Sequence, residues 1–306
     1  MNDAPLTALS ASARRLGSVI EPLTGQVYFS PECHRNYEAL GFGPSPSTNA
    51  GVAAPNMQAY FTSRGSVMGQ VPGEVVTAAF GVFNPEIVVP AVAYGWKTTD
   101  AATICAARDD GAIGQLTRLL GAEPEGIDRA NELLARAVEP LRPEGHPLYA
   151  GLRSLPVPPS KMGTLFRLAD MLREYRGDCH TAAWITAGLN ATHIGLISEL
   201  YWGMPPRSYS RSRGWTDEQF DVAEQQLRSR GILDADGTGL TDAGREFREA
   251  IEVTTDEQMR PAIDALGDDA EELYALLAPW GAAVGGGPRD PQGRPPPPGP
   301  GAPGPA

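Results

Sequence analysis

Between residues 165 and 172 the apolar side chains Leu165, Leu168, Ala169 and Leu172 recur at i, i+3, i+4 and i+7, which puts them on one face of a helix. The same spacing is carried by Leu6, Leu9, Ala13, Leu16 and Ile20, in a helix expected to end at Pro22, and by the runs 101–120, 126–141, 192–201, 217–230, 242–252 and 268–280. Ser30-Pro31 supplies an N-cap and a first-turn proline for another helix, and Thr98-Thr99-Asp100 caps the helix after it. Short extended pieces are expected only around Asp236-Gly237. The chain is therefore expected to be mainly α.

Proline and glycine divide it. Residues 141–160 are rich in both and read as a linker between a domain over 1–140 and a second over 161–284; the tail 285–306 is mostly Gly and Pro and is expected to be disordered. Four short matches recur in the same order in the two halves. Glu32-Cys33-His34 pairs with Asp178-Cys179-His180, Ser63-Arg64-Gly65 with Ser212-Arg213-Gly214, Thr98-Thr99-Asp100 with Thr254-Thr255-Asp256, and Leu120-Gly121 with Leu266-Gly267. An internal duplication of this kind predicts two similar domains packed about a pseudo-two-fold axis, as a monomeric pseudo-dimer or a homodimer.

The apolar stretch 82–96 is interrupted by Pro85 and Pro90, and no run reaches the roughly 18 apolar residues of a membrane span. No apolar segment follows Arg14 and Arg15, so a cytoplasmic protein is expected. The three cysteines form no Cys-x-x-Cys pair, which argues against a disulfide framework or a structural zinc site. A net charge of −12 makes the global field repel phosphates, so DNA contact must rest on a local basic patch.

Leu227-Arg228-Ser229-Arg230-Gly231-Ile232-Leu233, then Asp236-Gly237, then Leu240-Thr241-Asp242-Ala243-Gly244 reads as a helix end, a tight hairpin and a capped helix start. This segment resembles the wing of the MarR-type winged-helix regulators. Leu172 to His180, Gly214-Trp215 and Glu252 to Asp256 also resemble an actinobacterial helix-turn-helix family. The resemblance implies two tandem winged-helix (MarR-like) domains. The first is degenerate, since its counterpart of the reading helix, 67–79, contains Pro72 and no basic residue.

In the second half the reading helix would be 217–230, and it opens with Asp217, Glu218, Asp221 and Glu224, which repel a phosphate backbone. The connection before it, 203–214, is about three times the usual three or four residues. Arg207, Arg211, Arg213, Arg228 and Arg230 form a DNA-binding patch on one reading and pair with nearby acids on the other.

The segment from Arg173 to Ala183 carries the densest set of able side chains. Arg173, Arg176 and His180 share a helical face, and with Asp178 beside them they are the expected ligand-binding set for a small apolar or anionic molecule. The bland alternative pairs both arginines with acids of a neighbouring helix. Tyr60, Phe61, Phe80, Phe83, Trp184, Tyr201, Trp202 and Trp215 either line an apolar cavity or fill a core. No cofactor is expected. Nor is a metal, because Cys and His of one dipeptide diverge by about 100° on a helix and do not converge on one ion. An enzyme using Asp178 and His180 as acid and base is the remaining alternative. The leading expectation is a small-molecule-binding protein with weak or no DNA binding; a ligand-responsive transcription regulator is second.

Overall fold

The computed structural model describes residues 7–49 and 52–285, and the tail beyond Gly285 lies outside the described residues. In chain order the helices and strands are α1 (Ala8–Gly25), α2 (Pro31–Ala39), β1 (Thr48–Asn49), β2 (Val52–Ala53), α3 (Met57–Gly65), α4 (Gly73–Phe80), α5 (Pro85–Thr98), α6 (Ala101–Leu120), α7 (Ile127–Val138) and α8 (Pro147–Ser154). They continue with α9 (Lys161–Thr186), α10 (Ala191–Tyr201), α11 (Asp217–Ser229), α12 (Asp242–Gln258), α13 (Arg260–Leu266) and α14 (Ala270–Gly285). Strands β1 and β2 form a small antiparallel pair in the connection between α2 and α3.

The local signals act as their chemistry requires. Ser30 accepts the Cys33 amide at the start of α2, Asp100 accepts the Thr103 amide at the start of α6, and Thr241 accepts the Gly244 amide at the start of α12. Helix α1 does not stop at Pro22. Its last turn is held by tertiary packing, with Leu16, Ile20, Pro22 and Leu23 all buried and Gly281 of α14 seated beside the Pro22 ring. Gly111 lets α6 cross α2 closely, since a Cβ there would lie 2.6 Å from the Cys33 sulfur.

Helix α9 organises the molecule. It is flanked by α1, α6, α7, α8 and α12. Met162, Leu165, Phe166, Ala169, Met171 and Leu172 are buried around its circumference, so its first turns have no solvent face. These turns belong to a large core that runs from Ala13 to Trp280 and takes in α13 and α14. The last turn, from Ala183, enters a second and smaller core built from Trp184, Ile197, Leu200, Phe220, Leu227, Leu233 and Ile251.

This division differs from the expected one. Residues 141–160 are not a free linker: they contain α8, whose Leu148, Tyr149 and Leu152 are buried in the large core. The buried apolar residues fall into two clusters that meet near the C-terminal end of α9, and those of α13–α14 belong to the first.

The four short sequence matches between the halves do not all fall in the same structural context. Leu120-Gly121 and Leu266-Gly267 do share a context, each ending a helix with a glycine at positive φ. Two of the other matches do not. Glu32-Cys33-His34 lies in the first turn of the nine-residue α2, whereas Asp178-Cys179-His180 lies well inside the 26-residue α9. Asp100 caps α6, but Asp256 sits within α12. After α4 the chain enters α5 rather than a hairpin, because Asn84 caps and Pro85 starts a new helix.

Candidate functional site

The expected ligand set on α9 is turned inward. Arg173 donates to Glu21 of α1 at 2.8 Å, to its neighbour Glu174 at 2.8 Å and to the Tyr28 hydroxyl at 3.1 Å. Arg176 reaches Asp256 at 2.9 Å and Glu252 at 3.2 Å, both on α12. Burial pushes Glu174 up, but Arg64 and Arg173 outweigh it and hold the carboxyl down at about 2. A charge on a helix enclosed on most sides needs an internal partner, and these arginines have theirs.

His180 sits 3.2 Å from the Thr255 hydroxyl, and burial lowers its pKa to about 4, so it is neutral near pH 7. Asp178 leaves α9 toward α8, where it accepts the Tyr149 amide at 3.2 Å. Arg173 thus faces α1, Arg176 and His180 both face α12 beside Glu252, and Asp178 faces α8, so each is engaged inside the protein. Asp178 and His180 are not brought together as an acid–base pair.

Burial raises the Asp178 pKa from 3.8 to about 7, against the opposing pull of the Tyr149 amide. The unfolded chain releases this proton near pH 4 while the folded chain keeps it to about pH 7, so the native state loses stability as pH rises through that window. Asp178→Asn should be more stable than the unaltered protein at pH 8, by about 1–3 kcal/mol, with the gap narrowing by pH 5.5. Urea unfolding at both pH values checks this. A gap that does not change with pH contradicts it.

The other histidines have partners of their own. His34 is buried, with its Nδ1 2.8 Å from the Ser30 carbonyl and its Nε2 accepting the Asn56 amide at 3.4 Å. His146 stacks on Tyr175 with centroids 4.1 Å apart and lies 3.3 Å from the Cys179 sulfur. Burial pushes the Cys179 thiol up to about 12, so it is no nucleophile at neutral pH. Tyr60, Phe61, Phe80 and Phe83 pack on one another, Phe61 and Phe83 edge-to-face at 5.0 Å, and fill core rather than line a cavity.

The unit from α10 to α12 has a different surface. Two helices, α10 and α11, are followed by a hairpin closed by the Leu233–Leu240 bridge and turned at Gly237, φ +77°, and then by α12. Gly231 ends α11 at φ +70°. On α11, Asp217, Asp221 and Glu224 recur at steps of four and three and form one stripe. Arg207 lies along that stripe, donating to Glu224 at 2.7 Å, to Asp221 at 2.6 Å and to Asp217 at 3.5 Å. Arg211 donates to Asp217 at 2.7 Å and holds that carboxyl below its usual range.

The remaining arginines are engaged too. Arg213 donates to the Tyr209 hydroxyl and stacks over Phe83 at 4.5 Å. Arg228 lies 3.7 Å from Glu224, and Arg230 donates to the Ala187 and Gly188 carbonyls at the end of α9 while covering Phe247. All five candidate arginines thus have partners within the chain.

What shapes the long connection 203–214 was not foreseen. Glu199 of α10 is fully buried, and the chain wraps its amides around the carboxylate: Tyr209 donates at 3.0 Å, Ser210 at 2.9 Å, and Arg207 also donates. The Ser210 hydroxyl adds a fourth bond at 3.0 Å. Arg207 adopts φ +59°, the left-handed region that non-glycine residues seldom occupy, and its amide and guanidinium are both tied down there. Glu199, the one acid of α10, set between Ile197 and Leu200, was the available signal.

A groove of about 370 Å³ lies elsewhere, between the 66–69 turn, the start of α6 and the end of α8; Val67, Met68, Ala102, Cys105 and Leu155 are among its lining residues. No helix among the described residues is long and apolar enough to cross a membrane. A family model described as a helix-turn-helix family matches residues 13–288. Neither a curated protein nor a solved structure matches the chain.

Proposed function

Since the chain belongs to this helix-turn-helix family, we propose that it is a regulator-like protein whose α10–α12 segment is a MarR-like winged helix with little grip on duplex DNA in its resting state. The observation that carries this reading is the pairing of Arg207 and Arg211 with the acids of α11. A reading helix approaches phosphates with its N-terminal turns, and here those turns present Asp217, Glu218 and Asp221. The hairpin adds Asp234 and Asp236, and the net charge of −12 opposes encounter at long range.

The signal that such a protein receives is, on this reading, a small apolar molecule. Arg173 and Arg176 are neutralised within the protein, which disfavours an anion on α9, whereas the groove beside Met68 and Cys105 has the size and apolar lining of a ligand site.

Filter binding against fragments of the source genome at about 50 mM salt tests the DNA half of the proposal. The expected result is binding no tighter than about 10⁻⁶ M, the non-specific range, with no fragment enriched. A sequence-specific nanomolar complex would overturn it.

A further inference from the structure

We propose that the arginines of the 203–214 connection are a phosphate-binding surface for duplex DNA that the carboxylates of α11 hold shut. The inference rests on reading α11 as the helix that faces the duplex. It goes further in assigning the acids a masking role instead of a purely structural one.

Three observations converge on it. The first is register. Asp217, Asp221 and Glu224 lie at i, i+4 and i+7, so the guanidinium of Arg207 is extended along the exposed face of α11, where phosphate oxygens would otherwise be met. The second is preorganisation. The Arg207 backbone is fixed at φ +59° by its bond to buried Glu199, and its position does not depend on the acids it contacts. The third is exposure. Asp217 and Asp221 remain 57% and 68% accessible, so they are rim charges that a competing anion can replace without opening the fold. A planar guanidinium donates to phosphate in the same bidentate way as to carboxylate.

The chemistry is an exchange of ion-pair partners, with no covalent step. In the unaltered protein the effective local concentration of the α11 carboxylates exceeds that of phosphate. Removing the two exposed carboxylates frees Arg211 altogether and leaves Arg207 with Glu224 alone.

The test compares Asp217→Asn/Asp221→Asn with the unaltered protein on a fluorescent mixed-sequence duplex, by anisotropy across a salt series. A control, Asp264→Asn/Asp268→Asn, removes the same charge from exposed positions in α13 and the turn after it. The expected result is a gain of at least about tenfold at low salt for the α11 variant, with the log K against log salt slope steeper by about two, near 0.9 per phosphate engaged. The control gains far less, and adding Arg207→Gln/Arg211→Gln to the α11 variant abolishes the gain. A folded α11 variant that binds no better than the unaltered protein overturns the proposal, as does an equal gain in the control. Should the double variant fail to fold by circular dichroism, Asp221→Asn alone carries the same comparison with a smaller gain. Tight binding by the unaltered protein would sink the reading of a weak resting grip, which is a distinct outcome.

Discussion

Asp170→Ala should lower the free energy of unfolding by about 3–5 kcal/mol, the range for breaking a buried ion pair from one side. Asp170 is fully buried on α9 and accepts from Arg108 of α6 at 2.6 Å; Arg108 is 1% exposed. Arg108 also reaches Asp109 at 3.2 Å, but Asp109 is shared with buried Arg167, so one carboxylate would be left facing two guanidinium groups. The apolar double replacement Asp170→Leu/Arg108→Met should recover much of the loss, because it removes both charges together. Urea melts of the two variants decide this. A loss below about 1 kcal/mol for Asp170→Ala would show that the pair does not organise the α6–α9 contact.

The second large effect is confined to the smaller unit. Glu199→Gln keeps the side-chain shape but turns an amide group toward backbone donors, and should cost about 2–4 kcal/mol through unsatisfied buried bonds. Arg207, Tyr209 and Ser210 would each lose or weaken an accepting oxygen. Hydrogen exchange should then lose protection at the amides of 207, 209 and 210, while the α9 amides between 165 and 172 keep theirs. Equal protection in both proteins would mean that the connection is held by its arginine pairs alone.

Much of the secondary structure was legible because its signals are local. The caps Ser30, Asp100 and Thr241 and the turn at Asp236-Gly237 act through neighbours in sequence, and they appear where the residue types place them. The acids on α11 were legible for the same reason, since their spacing alone puts them on one stripe.

The partners of each charge were not. Arg173 meets Glu21, and Arg176 meets Asp256, across long separations that only the packing of α1 and α12 on α9 creates. An arginine stripe on a helix looks the same in sequence whether it faces solvent or a neighbour. The amphipathic run 165–172 suggested one buried face, yet α9 is enclosed on most sides, and that enclosure turned the two arginines of the expected ligand set into internal ion pairs. The Pro-rich segment 141–160 misled for a related reason. Pro147 starts α8 rather than breaking structure, and Leu148, Tyr149 and Leu152 bind that helix into the large core.

The claim on which the account turns is that the arginines around α11 are already engaged within the protein, Arg207 and Arg211 by its carboxylates. The salt dependence of duplex binding by the unaltered protein tests it most directly, because each arginine that engages a phosphate adds about 0.9 to the slope. The account predicts weak binding with a slope near zero between about 50 and 200 mM salt. A slope of about −4.5, the value for all five arginines on phosphates, would contradict it.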